Sequence, residues 1–170
     1  MSRLEPLFSP TGSGGVGIGL PQELRDVLVT LCEQLEELIA TGDAVGDPAL
    51  ARLSPAAHPD DPLRQLEFEQ LAGDDLAAGR LAALREVRAT AGSDALSEEQ
   101  ADTWLRALND LRLVLGVRLE LTEDSVFEDF ADDEAAASAF DLYGWLGEMQ
   151  GQLLLAVDPE AVEPEVPGRN

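Results

Sequence analysis

No lysine occurs anywhere in the 170 residues, and cysteine and histidine appear once each. Each scarcity excludes something. A P-loop needs a lysine, so that phosphate-binding device is absent. A lone cysteine, Cys32, cannot close an internal disulfide, and a reducing compartment is the simpler expectation. One Cys and one His are too few for a four-ligand zinc site. No apolar run approaches the length of a bilayer span. Residues 1–10 lack the basic segment and apolar run of a signal peptide. These absences place the expected location in the cytoplasm. Aromatic residues are also scarce, so the core must come from Leu, Ala and Val, a composition that favours helix.

Positive charge is the other shortage. Eleven basic residues, all arginine, face 34 acidic ones, and the formal net charge is −23. An all-arginine basic set fits a GC-rich genome, because arginine codons are rich in G and C. The charge repels phosphate backbones, on which nucleic-acid binding depends, and anionic membrane surfaces. Neither nucleic acid nor membrane is therefore expected as a partner. The length fits one domain, here residues 1–157, and a chain of this size folds without disulfide or metal.

Hydrophobic periodicity predicts a mainly α fold: a single helical bundle of about five helices with a small N-terminal β-hairpin over residues 4–20. Leu7 and Phe8 lie on one arm of the hairpin. Val16, Ile18 and Leu20 alternate with Gly17 and Gly19 on the other, a period of two. A helix follows from Pro21 to about Thr41, with Leu24, Val27, Leu28, Leu31, Leu35, Leu38 and Ile39 on one face. Residues 43–61 read as a Pro-rich loop holding a short turn near Leu50 to Leu53. Asp61 then caps a helix that starts on Pro62, with Leu63, Leu66 and Leu71 on one side. Gly73, Asp74 and Asp75 look like a break or kink before a second run to about Ala91, with Leu81, Leu84 and Val87 inward.

The best-defined helix starts at Ser97, where Ser97 and Gln100 spell a capping box. Trp104, Leu105, Leu108, Leu111 and Leu115 give it a wide apolar face. It is read as the central helix, ending near Gly116. Residues 119–134 carry eight acids, and the last helix runs from about Asp133 to Val157 on a stripe of Ala139, Leu142, Leu146, Met149 and Leu153. Residues 158–170 form a Pro- and Glu-rich acidic tail, read as disordered.

The chemical signals are few. Gly12 to Gly17 spells GxGxxG, but an alternating segment follows it where a dinucleotide site needs a helix, so a hairpin turn is the better reading. The acidic stretch from Glu120 to Glu134 lacks the sixth-position glycine of a calcium-binding loop. His58 lies in a Pro-rich loop, and Cys32 sits on the edge of an apolar helix face as a small hydrophobe. No catalytic centre, cofactor site or metal site is expected. One constellation stands out. Arg112 follows Leu108 by four residues and Leu105 by seven, which puts its stem on or beside the apolar face. A guanidinium there needs partners, since unpaired burial of charge is costly. One reading is a structural ion pair with a carboxylate from another helix. The other is a site in which Asn109, Arg112 and Arg118 bind an acidic group of a partner.

At this helix the chain resembles an actinobacterial family of unknown function. The segment WLRALNDLRLVLGVRLELTED, Trp104 to Asp124, carries the resemblance. DPALARLSPAAHPDD (Asp47 to Asp61), the stretch from Glu67 to Leu76 and YGWLGEMQGQLL (Tyr143 to Leu154) extend it over most of residues 15–157. The resemblance implies an association with regulated proteolysis, because members are commonly encoded beside the Clp-protease adaptor ClpS and near a JAB-type metallopeptidase. Some members have been labelled transcriptional regulators. It implies no catalytic residues.

Residues and resemblance together favour a non-enzymatic protein–protein interaction or regulatory protein, with a protein partner such as the Clp system and self-association left open. The alternatives are a transcriptional regulator and an enzyme built on carboxylates and arginine. The first would need a basic recognition helix, and Arg80 to Arg88, the most basic stretch, holds three Arg and one Glu.

Overall fold

The computed structural model describes residues 5–42, 46–53 and 60–160. His58 and the chain beyond Glu160 lie outside them. The N-terminal hairpin has arms β1 (Phe8–Pro10) and β2 (Val16–Ile18), antiparallel, with Phe8 opposite Ile18 and Pro10 opposite Val16. Gly14 takes a φ of +88° in the turn, a conformation that a residue without Cβ adopts freely. A third strand, β3 (Ala95–Leu96), pairs antiparallel with β2 and gives the order β1-β2-β3. Sequence reading missed it, because two residues carry no period. At Gly15 an added Cβ would lie 2.5 Å from the Leu96 carbonyl oxygen, so β3 can approach only a glycine there. The GxGxxG spelling is thus a hairpin turn, as expected.

Helix α1 (Gln22–Thr41) buries Leu28, Cys32 and Leu35. Val27, expected on that face, is 39% exposed, and Cys32 is buried in the core, as expected of a small hydrophobe. Arg25 ties the start of α1 to the sheet. Its guanidinium donates to the carbonyls of Ile18 and Leu20, and to those of Ala91 and Ser93 at 2.8 Å each. The short α2 (Pro48–Leu53) starts where the Asp47 carboxylate accepts from the Ala49 N–H.

Helix α3 (Pro62–Thr90) is one unbroken helix, capped by Asp61 as expected. The break at Gly73 to Asp75 is not there. A glycine in a helix costs about 1 kcal/mol relative to alanine but keeps its N–H, so the hydrogen-bond ladder continues through it. The two halves of α3 differ. Leu84, Val87 and Thr90 are buried, whereas Leu63 is 75% exposed and Leu66 is exposed as well. At about 1.5 Å per residue α3 is roughly 43 Å long. Its partners, α1 and the helix Glu98–Arg118, have 20 and 21 residues, so both are shorter than α3.

Helix α4 (Glu98–Arg118) is the central one and packs on α1, α2, α3 and α5. Its capping box forms in full: Gln100 N–H donates to Ser97 Oγ and Ser97 N–H donates to Gln100 Oε1. Trp104, Ala107, Leu108 and Leu111 are buried, and Leu115 is half-buried against the same core. Trp104 Nε1–H donates to Thr90 Oγ1 at 2.8 Å, and its ring meets Phe8 edge-on at 6.0 Å. After α4, a 3₁₀ turn (Phe127–Asp129) leads through the acidic segment, where Phe130 stacks on Phe140 at 5.0 Å. Helix α5 (Glu134–Val157) is capped by Asp133 and buries Leu146, Met149, Leu153 and Ala156. Among the described residues no helix is long and apolar enough to cross a membrane.

Candidate functional site

Three- and four-residue steps divide α4 into faces. Trp104, Leu108 and Leu111 point into the core, so Arg106, Asn109, Leu113 and Gly116 lie on the opposite side. Two depressions open there. One, of about 460 Å³, is lined by Asn109, Arg112, Leu113, Gly116 and Glu120 of the α4 side, Arg52 of α2 and Tyr143 of α5. The other, of about 1050 Å³, lies between α2, α3 and α4 and is lined by Arg52, Leu76, Arg80, Arg106, Asn109 and Asp110, among others. They share Arg52, Asn109 and Leu113 and so adjoin as one groove; past Arg106 the second also adjoins a further depression that Glu86 and Glu99 help to line.

Arg112 stands at the border between core and groove, as its spacing predicted, but its partners are not those expected. Nη1 donates to Gln150 Oε1 at 2.8 Å, Nη2 makes a long 3.4 Å contact with the Tyr143 hydroxyl, and the guanidinium carbon sits 5.0 Å from the Tyr143 ring centre. Gly147 leaves the space: a Cβ there would touch the guanidinium at 3.4 Å. Tyr143, Gly147 and Gln150 are thus successive positions of one face of α5, four and three residues apart. The Nε of Arg112 is buried without a partner. Among the described residues no carboxylate pairs with Arg112, which corrects the expected structural ion pair.

The other arginines sort by the same test. Arg80 pairs with Asp110 at 2.5 Å and also donates to the Leu53 carbonyl, joining α2, α3 and α4. Burial pushes the Asp110 carboxyl above its ordinary value, against the opposing pull of Arg80. Arg85 and Arg88 pair with Glu33 and Glu36 of α1. Arg118 pairs with Asp47 at 2.8 Å. Desolvation raises the Asp47 carboxyl, but the Ala49 N–H and Arg118 outweigh it and hold it below its ordinary value. Arg52, Arg106 and Arg112 make no ion pair among the described residues, and all three line the groove.

The three residues singled out from the sequence are therefore split. Asn109 and Arg112 meet in the groove. Arg118 instead edges a separate apolar depression between α1, α4 and α5, with Leu31, Leu38 and Leu146. Arg52, Arg106 and Tyr143 were missed. Tyr143 had a signal in its spacing to Gly147 and Gln150. Arg52 had none, because a six-residue helix in a Pro-rich segment does not announce which element it packs on. Cys32 stands apart: burial first, then Glu36 and Glu33 against Arg88, push its thiol up to about 12. No cluster of His, Cys, Asp and Glu that could hold a metal occurs among the described residues.

A family model described as a domain of unknown function, DUF2017, matches residues 3–157. The chain belongs to this family. Proteins of Mycobacterium bovis and Mycobacterium tuberculosis named "Oxidative stress regulator AosR" are 32% identical to it over 146 residues, covering 74% of this chain. The chain spans 66% of the length of those relatives. No solved structure matches it.

Proposed function

We propose that this chain is a regulatory protein that acts by binding a protein partner through the Asn109 groove and catalyses no reaction of its own. The observation that carries this reading is the convergence of Arg52, Arg106 and Arg112, all without carboxylate partners among the described residues, on one groove of a chain with charge −23. Acids are abundant on this surface, and an arginine left without one in that setting is available to a ligand. The name of the mycobacterial relatives favours regulation as well. Within the reading, the Clp proteolytic machinery is the first partner to try, following the family resemblance, and a second copy of the chain is the next.

On this reading, Cys32 is a poor site for oxidative signalling, because it is buried. The thiolate is the species that oxidants attack, and Cys32, buried with its thiol pushed up to about 12, is held neutral at physiological pH. The oxidative signal, on this reading, reaches the chain through its partner. DNA binding is disfavoured, because Asp75 and Glu120 edge the groove beside its arginines.

The test is a paired pull-down. Tagged wild-type and Arg112→Ala proteins, shown to be equally folded, are incubated with native lysate and the captured proteins identified by mass spectrometry. A protein enriched by the wild type and lost from the variant is expected. If the variant keeps every protein that the wild type captures, the groove is not the contact surface.

A further inference from the structure

The groove gathers three arginines, Arg52 of α2 and Arg106 and Arg112 of α4, more than one small anion uses. We propose that the groove takes an extended, acidic segment of a partner protein, its carboxylates on Arg52, Arg106 and Arg112 and apolar side chains between them. The inference rests on the groove being the contact surface, and it adds the chemistry of what is contacted. From Arg106 to Arg112, α4 advances roughly 9 Å at about 1.5 Å per residue. An extended chain covers that distance in about three residues of roughly 3.3 Å each. A phosphate or a small carboxylate is satisfied by one or two guanidiniums and would leave the remaining cation unmatched.

The walls fit the same ligand. Leu76, Leu105, Leu113 and Leu121 line the two depressions and offer apolar contact beside the cations. A strand turns successive side chains to opposite sides, so acids at alternate positions share one side. The Asn109 amide, at the junction of the two depressions, can both donate to and accept from a passing backbone. Arg112 is held ready: Gln150 fixes one end of its fork and the Tyr143 ring lies 5.0 Å from its centre. The long 3.4 Å contact of Nη2 to the Tyr143 hydroxyl is weak enough for a carboxylate to replace. Asp75 and Glu120 supply the selectivity. They repel a polyanion charged at every unit, such as nucleic acid, whereas a peptide can set its acids against the arginines alone.

The test uses fluorescein-labelled seven-residue peptides with Glu at alternate positions and Leu or Ala between, and matched peptides with Gln or Arg in place of Glu. Binding to the full chain is followed by fluorescence anisotropy. The Glu peptide should bind about tenfold or more tighter than the Gln peptide, as charge-assisted hydrogen bonds require. Arg52→Ala and Arg106→Ala change exposed side chains and should leave the unfolding midpoint in place. Each should weaken the Glu peptide several-fold, roughly threefold or more per lost contact. Equal binding of the Glu and Gln peptides, preference for the Arg peptide, or indifference to both substitutions overturns the proposal. So does citrate competing as strongly as the peptide with the same dependence on both arginines, which would make the groove a small-anion site. If the pull-down loses its partner on Arg112→Ala and the Glu peptide does not bind, the contact surface stands and the acidic segment falls. If the peptide binds as described and no partner is lost, the chemistry of the groove stands and its role as the contact surface for a partner falls.

Discussion

One face of α4 is closed and the opposite face is open, and the two treat polar groups differently. On the closed face the Trp104 ring is fully buried, and its single N–H is matched by Thr90. On the open face Arg106, Asn109 and Arg112 border a groove, and the buried Nε of Arg112 has no partner. Most polar groups buried in a core are satisfied, so the unmatched Nε of Arg112 beside a groove sets that face apart from Trp104, although Trp145 Nε1 is buried without a partner as well. The two faces of one helix thus differ in how completely their polar groups are matched.

The largest effect should come from the closed face. Trp104→Ala removes a fully buried ring, its edge contact with Phe8 and its hydrogen bond to Thr90. It should cost about 3–5 kcal/mol in urea unfolding, out of the roughly 5–15 kcal/mol by which domains are usually stable. A loss below about 1 kcal/mol would erase the distinction between the faces. Arg112→Ala, on the border, should cost only about 1 kcal/mol, because its partners Gln150 and Tyr143 are neutral and no carboxylate is orphaned. A loss of about 3–5 kcal/mol, the range for breaking a buried ion pair, would move Arg112 to the closed side.

The smallest effect sharpens the boundary through pH. Asp110→Asn keeps an acceptor for Arg80 and removes a buried charge, so neutral-pH stability should change by no more than about 1 kcal/mol. The pH trend is the better readout. Burial raises the Asp110 carboxyl in the folded state despite Arg80, so the native protein binds its proton more tightly than the unfolded chain does. The stability of the wild type should therefore rise relative to Asp110→Asn as the pH falls from 7 toward the unfolded carboxylate value near about 4. A trend in the other direction would mean that the Arg80 pair outweighs burial.

Much of this was legible beforehand, for local reasons. The capping box at Ser97, the Asp61 cap before Pro62 and the stripe from Leu146 to Leu153 all work within a few residues, and all form as read. The kink at Gly73 failed, because a helix-weakening residue was taken for a helix-ending one. Leu63 and Leu66 were placed on one side, but spacing alone did not say that this side stays exposed: an apolar stripe says that a face wants cover, not that neighbouring helices provide it. At the site, the stem of Arg112 was placed correctly from its spacing to Leu105 and Leu108. Its partners were not, because Tyr143 and Gln150 come from a helix 31 and 38 residues away.

The sequence by itself determined the helices and their caps, the hairpin turn at Gly14, the closed face of α4 and the surplus of negative charge. Each depends on periodicity, local hydrogen bonding or composition, which a chain carries in any conformation. The tertiary structure alone decided which arginines are matched and, among the described residues, which make no ion pair. Arg25 reaches carbonyls at Ala91 and Ser93, Arg118 finds Asp47, and Arg80 finds Asp110. All eleven arginines look alike in the sequence. Pairing requires side chains far apart in the chain to come within about 4 Å, and only the packing of the helices sets those distances.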